Sequence, residues 1–283
     1  MKIRDFRSIF IEKLKDKYSK GESIRLLKIL AEFYLKRKTP EWDSFWGMPL
    51  CKENENKISD ALIQLQNGKP YQQIIGETYF YGLKFWVNES ILIPRPETEE
   101  LLELSISRIQ NTYALNTEIK ILDIGTGSGV IPIILKKKFP KACISALDIS
   151  KKAIILAKHN AKLHNITVDF RELDYLKEDL SENFHFIISN PPYIDPKEQK
   201  EISDIVKHHE PYLALFPPSA DPLTFYKKIY RDAKKNLLKN GAIFLEINQK
   251  YGLQTKNIFV KDYTTKLLKD ISGNDRFVIA EKK

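Results

Sequence analysis

A chain of 283 residues with 42% hydrophobic and 29% charged side chains is long enough to bury a sizeable core, as one large or two small domains. No apolar run nears the roughly 20 residues of a membrane span, and Lys2, Arg4, Asp5 and Arg7 precede no apolar block, so neither a membrane helix nor a secretory signal is expected. The net charge of +9 lies on scattered lysines, which read as solvated faces rather than a nucleic-acid stripe, and the two unclustered cysteines, Cys51 and Cys143, argue against a zinc or disulfide framework and for a reducing, cytoplasmic setting.

Residues 1 to about 66 read as helices. Phe6, Ile9, Phe10 and Leu14 fall at helical spacing, as do Leu27, Leu30 and Tyr34, with Ser23 as a cap before the second run. A Lys38-Thr39-Pro40 breaker leads to a segment with Trp42, Phe45 and Trp46. A helix from about Lys57 to Gln66 stops at Asn67-Gly68. These elements predict a small all-α domain over 1–70, suited to docking a partner. Residues 71–94 read as a linking β-hairpin, centred on the aromatic run Thr78–Val87 with Gly82 inside it. Within 95–283, Ile93-Pro-Arg-Pro-Glu-Thr-Glu99 precedes a helix over Leu101–Ile109. Thr98 is the expected cap, and Arg95 a candidate to hold a carboxylate.

From residue 118 strands and helices alternate, which predicts a mostly parallel sheet covered on both faces. The strands are Ile119–Ile124, Cys143–Leu147, Ile166–Phe170, Phe184–Ile188 and, after an Asn240-Gly241 turn, Ala242–Glu246. A long connection, Asp195–Pro218, carries His208-His209, read as loop rather than metal site; a helix over Leu223–Leu238 follows it. Thr264–Leu268 and Arg276–Ala280 flank Gly273-Asn274 and read as a terminal antiparallel hairpin.

Two stretches carry chemistry. The first is Asp123-Ile-Gly125-Thr126-Gly127-Ser128-Gly129, whose glycines let the backbone approach a ligand at the end of the first strand. It has no Gly-Lys-Ser/Thr for a triphosphate, and Asp123 suits a cationic amino group better than a pyrophosphate. Asp148, ending the next strand, can accept two ribose hydroxyls. Asp174-Tyr175, after the third, can meet an adenine amino group and its ring face. An amino acid, a ribose and an adenine together describe S-adenosylmethionine. The second stretch is Asn190-Pro191-Pro192-Tyr193-Ile194. Prolines stiffen the backbone and leave carbonyls free. The Asn190 amide oxygen and the Pro191 carbonyl can each accept one hydrogen of a planar NH2 group, with Tyr193 covering its flat face. Such a nitrogen is a poor nucleophile; accepting both hydrogens favours a pyramidal nitrogen, and positioning supplies the rate.

The chain resembles the release-factor glutamine methyltransferases, the PrmC/HemK family. The matching residues are Pro70–Gly76, Phe80–Phe85, Ile93–Glu99, Asp123–Gly129, Asp148–Ser150, Asn190–Ile194, Glu210-Pro211 and Ser272–Arg276. The resemblance implies a Rossmann-like class I methyltransferase sheet with an antiparallel C-terminal strand, behind a small helical domain. It further implies methylation of the glutamine side-chain amide in the Gly-Gly-Gln motif of peptide-chain release factors. By it, Asn190 and the Pro191 carbonyl hold that amide, while Gly125–Gly129, Asp148 and Tyr175 line the cofactor site. A monomer is the simplest expectation. The competing readings are an adenine amino-group methyltransferase of DNA or RNA, which shares Asn-Pro-Pro-Tyr but must extrude its base, and a nucleotide-binding module without catalysis, which intact Asn190 and Tyr193 disfavour.

Overall fold

The computed structural model describes residues 1–37 and 45–282. The Lys38-Thr39-Pro40 breaker and Trp42 lie outside the described residues. The chain divides into two compact units: residues 1–77 with 203–209, and 78–202 with 210–283.

In the smaller unit, helix α1 spans Ile3–Leu14 and α2 spans Lys20–Leu35. Ser19, not Ser23, caps α2: its side chain accepts from the Glu22 N–H while Glu22 reaches back to the Ser19 N–H, a reciprocal capping box. Ser23 is buried one turn inside, its hydroxyl on the Ser19 carbonyl at 3.0 Å. Helix α3 runs Lys52–Gln66, starting earlier than Lys57, and Gly68 ends it with φ +84. A short α4, Tyr71–Ile75, follows. Phe6, Phe10, Leu14, Leu27, Leu30, Ile58 and Leu65 form this unit's core. His208 and His209 belong to a short helix, Asp204–His209, rather than a loop.

The hairpin is β1, Glu77–Phe80, and β2, Leu83–Trp86. Both turn residues, Tyr81 and Gly82, have positive φ (51 and 73), the geometry of a primed two-residue turn. Helix α5 spans Pro96–Gln110, so it begins before Leu101. Arg95 is its N-cap residue by backbone, without a side-chain cap bond, and Pro96 is pre-set at the first helical position. Thr98, expected as the cap, is buried within the first turn. The helical start moved because proline needs no N–H partner there.

The remaining strands and longer helices are β3 (Lys120–Ile124), α6 (Val130–Lys138), β4 (Cys143–Asp148), α7 (Lys151–Leu163), β5 (Asp169–Glu172), β6 (Phe184–Ser189), α8 (Thr224–Asn236), β7 (Leu237–Glu246), α9 (Gly252–Phe259), β8 (Tyr263–Lys269) and β9 (Asp275–Lys282). The seven-stranded sheet runs β5-β4-β3-β6-β7-β9-β8. Neighbours from β5 through β7 are parallel, while β9 is antiparallel to both β7 and β8. Strand β5 pairs later than Ile166–Phe170: only from Asp169 does it register with Ser145. The Asn240-Gly241 step lies inside β7 as an irregularity rather than ahead of it, with Asn240 at φ +63. A Cβ on Gly241 would sit 2.7 Å from the His185 carbonyl, which excludes a side chain there. One core lies between the sheet and α5–α7 (Leu101, Ile121, Ile133, Ala157, Phe186); the other lies beneath α8 and α9 (Ile187, Tyr226, Ile229, Phe259, Val278). Both faces being covered explains why the central strands read as continuous apolar runs. Crossovers between parallel neighbours leave the carboxyl ends of β3, β4 and β6 on one rim.

Candidate active site

The rim is built around the loop after β3. Gly125, Gly127 and Gly129 have φ of +77, +54 and +81. Residues with a Cβ pay roughly 1–2 kcal/mol for each such conformation. The Gly125 and Thr126 N–H groups both donate to the Leu147 carbonyl at 2.9 Å, closing the loop onto the end of β4. Gly127 N–H donates to Asp148 Oδ2 at 2.9 Å and Ser150 N–H to Oδ1 at 2.8 Å. Thr126 and Ser128 are buried beneath the turn. The wholly buried Asn160 of α7 ties this loop to the hairpin. Its Nδ2 donates to the Ser128 carbonyl at 2.9 Å and to the Trp86 carbonyl at 3.0 Å, and its Oδ1 accepts from Trp86 N–H at 2.7 Å.

Asp123 stands at the foot of this loop with no exposed surface, and neither carboxylate oxygen has a hydrogen-bond partner. Burial pushes its carboxyl up to about 7, opposed by the nearby Thr126 side chain, and the charge of Asp148 adds to the rise. An orphaned buried acid of this kind suits a cationic partner. Burial also raises the Asp148 carboxyl, while the N–H groups of Ser150 and Gly127 hold it back. With one lone pair of each oxygen on the backbone, Asp148 retains others for two hydroxyls. The donor set therefore fits a ligand with an ammonium group and a diol. Asp174 accepts from the Leu176 N–H at 3.3 Å and pairs with Lys177 at 2.9 Å. Tyr175 is only 4% exposed: its ring packs in the core below α8, with Lys228 Nζ 4.9 Å from the ring centroid. The expected open ring face is thus turned inward, because the buried Lys228–Asp232 pair (2.6 Å) gives the ring a cation to lie against.

The second motif converges on the first. Strand β6 pairs with β3, and the buried Ser189 hydroxyl donates to the Ile124 carbonyl at 2.7 Å, pinning the two strand ends together. A Cβ on Gly125 would lie 3.7 Å from the Asn190 carbonyl oxygen and 3.9 Å from Pro191 Cα, so the proline turn passes over the glycine loop in van der Waals range. Pro191 is buried; Pro192 and Tyr193 are partly exposed. The Asn190 Nδ2 donates to Thr98 Oγ1 at 3.0 Å, and among the described residues no hydrogen bond engages its Oδ1. Thr98 in turn donates to Glu246 Oε2 at 2.8 Å, and the Tyr193 hydroxyl donates to Glu246 Oε1 at 3.1 Å. Burial pushes the Glu246 carboxyl up to about 7, opposed by Thr98, Tyr193 and Arg276. Burial and the neighbouring Glu246 hold the Tyr193 phenol well above its ordinary value, so it stays a donor. The Asn248 Nδ2 donates to the Tyr193 carbonyl at 3.3 Å, steadying the far side of the turn.

Thr98, Glu246 and Asn160 are not among the expected site residues. For Thr98 the signal was present in Pro-Arg-Pro-Glu-Thr-Glu but read as a local cap; Glu246 showed only as an acid ending a strand. Arg95 does hold a carboxylate, an internal one: its Nη2 lies 2.6 and 2.7 Å from the two oxygens of Glu210, whose side chain is buried.

A seven-stranded sheet of this order, with a glycine loop after its third strand facing an Asn-Pro-Pro-Tyr turn, defines a methyltransferase of the Rossmann-like class I type. The family model of the methyltransferase small domain matches residues 103–214. A release factor glutamine methyltransferase of Flavobacterium psychrophilum is 41% identical over 281 residues, 98% of each chain; one of Streptococcus pneumoniae is 41% identical over 233 residues, 81% of each. In fold, the chain is similar to the crystal structure of a methyltransferase from Pyrococcus furiosus (TM-score 0.52, 19% identity), which covers 79% of this chain and 98% of that one. The chain belongs to the release factor glutamine methyltransferase family. Among the described residues no helix is long and apolar enough to cross a membrane.

Proposed function

We propose that this chain transfers a methyl group from S-adenosylmethionine to the side-chain amide nitrogen of the glutamine in the Gly-Gly-Gln motif of peptide-chain release factors. The observation that carries the reading is the Asn190 amide. Its NH2 end is spent on Thr98, which leaves Oδ1 as an acceptor, on a turn whose backbone passes over the glycine loop. An acceptor there suits a substrate that presents a planar NH2.

In this reading S-adenosylmethionine supplies an electrophilic methyl on a sulfonium. Asp123 holds its ammonium group, Asp148 its ribose hydroxyls, and the backbone of Gly125–Gly129 admits it closely. Asp174 sits at the adenine end, with Tyr175 packed behind that edge. Asn190 Oδ1 and the Pro191 carbonyl each accept one hydrogen of the glutamine NH2, so its lone pair is turned away from conjugation. Pro192 stiffens the turn and Tyr193 bounds the amide face. No side chain need remove the proton beforehand, since the methylated nitrogen sheds it to water afterwards. Residues 1–70 are read as the part that docks the release factor, 71–94 as a linker and 95–283 as the catalytic domain, acting as a cytoplasmic monomer.

The test is transfer of label from S-adenosylmethionine to purified release factor, to the same factor with its Gly-Gly-Gln glutamine replaced by alanine, and to DNA and tRNA. Label on the unmodified factor alone supports the reading. Label on nucleic acid, or equal label on the glutamine-free factor, overturns it.

A further inference from the structure

We propose that Thr98 and Glu246 form a positioning relay that fixes which end of the Asn190 amide faces the substrate. The proposal rests on the reading that Asn190 receives the glutamine NH2. An asparagine amide has nearly the same shape either way round, so packing alone cannot choose between an acceptor and a donor at the reacting nitrogen. Hydrogen bonding can. Glu246 closes β7 with a side chain 1% exposed, and each of its oxygens faces a hydroxyl: Thr98 at 2.8 Å and Tyr193 at 3.1 Å. Above pH 7, where Glu246 is mostly ionised, its carboxylate only accepts, so the single hydrogen of Thr98 is committed to it. The Thr98 oxygen then offers nothing but lone pairs to its other neighbour, 3.0 Å away. Only the NH2 end of Asn190 satisfies them, and Oδ1 is left pointing the other way.

The reversed amide meets two conflicts at once. Its oxygen would face the Thr98 lone pairs, and its NH2 would face the substrate NH2, donor against donor. The relay thus transmits the charge of a buried acid, through one hydroxyl, into the polarity of the site. It also gives the threonine of Pro-Arg-Pro-Glu-Thr-Glu a task that helix capping does not. Proline at the first helical position brings Thr98 to the inner face of α5, opposite the end of β7.

The experiment uses the full chain with 15N-labelled asparagine at pH 8, where Glu246 is mostly ionised, the Asn190 side-chain resonance being identified by its loss in Asn190→Ala. In Thr98→Val, which keeps the shape and removes the hydroxyl, that resonance shifts and its protons exchange about tenfold faster or more, as expected for a lost buried hydrogen bond. On release factor, kcat falls about 10- to 100-fold while KM stays within about threefold, because only the oriented amide is disturbed. Thr98→Ser, which restores the hydroxyl, regains most of the lost rate and the wild-type resonance. Glu246→Gln, whose amide can donate to Thr98 as well as accept from it, yields two Asn190 nitrogen shifts, each with its own proton pair, in place of one. The relay is overturned if Thr98→Val leaves resonance and kcat as in wild type, or if Thr98→Ser fails as fully as Thr98→Val, which would mark Thr98 as packing alone. If wild type methylates no release factor while the Asn190 resonance responds as described, the assigned substrate falls and the relay stands.

Discussion

Acidification through pH 7 is expected to weaken binding of S-adenosylmethionine, because the acid that meets its ammonium group is Asp123. This carboxyl is fully buried without a hydrogen bond, and burial pushes it up to about 7 against the nearby Thr126 side chain, with Asp148 adding to the rise. A cation engages only the ionised form. With a free-state value near 7, about nine-tenths of the protein is ionised at pH 8 and about one-tenth at pH 6. The apparent dissociation constant therefore rises about tenfold between pH 8 and pH 6, with close to one proton released per ligand bound at the lower pH. Calorimetry in buffers of different ionisation enthalpy reads both quantities. The sign for the unliganded protein is opposite. Native Asp123 keeps a proton that the unfolded chain loses near pH 4, so stability falls as pH rises from about 4 to about 7, by up to about 4 kcal/mol if this group acted alone. Asp123→Asn removes the slope of the dissociation constant and this group's share of the stability slope, leaving that of Glu246, and lowers affinity. A wild-type dissociation constant that stays flat from pH 6 to 8, or a dissociation constant whose slope survives in Asp123→Asn, would refute the assignment.

Asn190→Ala should keep the fold and bind cofactor within about threefold of wild type while kcat drops about 10²- to 10³-fold, the usual cost of removing a positioned polar contact to the reacting group; near-wild-type turnover would remove the amide grip. Asp148→Ala should raise the cofactor dissociation constant and also loosen the turn that its carboxylate holds at Gly127 and Ser150; unchanged calorimetric affinity would remove the ribose assignment. Gly129→Ala should destabilise the chain by about 1–3 kcal/mol, since φ is +81 and the new Cβ would lie 3.0 Å from that of Ala157. Urea unfolding with an unchanged midpoint would contradict that strain.

Some of this was legible in the chain and some was not, and the difference has a physical form. The glycine loop and the proline turn announce themselves because their backbone geometry must be encoded on the spot: positive φ calls for glycine, and a rigid turn with free carbonyls calls for proline. The alternation of strands with helices likewise reports itself through local apolar runs, and the class of sheet follows from that rhythm. The misplaced residues share a different trait. Ser23 and Thr98 look like caps in the sequence because threonine and serine near a helical start usually cap, yet each side chain has another partner, the Ser19 carbonyl and the Glu246 carboxylate. Thr98 and Glu246 stand 148 residues apart, Arg95 and Glu210 115 apart. Nothing local marks such pairs, since the energy that selects them appears only once a low-dielectric interior has formed. Tyr175 is the same case in apolar dress: an aromatic at a strand end offers its face to a ligand only if the core does not claim it, and Lys228 on a distant helix makes the claim. Groups that do chemistry thus sit in readable motifs, whereas groups that orient them need only close any neighbouring strand or helix with the right polarity. A site of this kind is half written in its motifs and half in the fold that brings Glu246 beneath them.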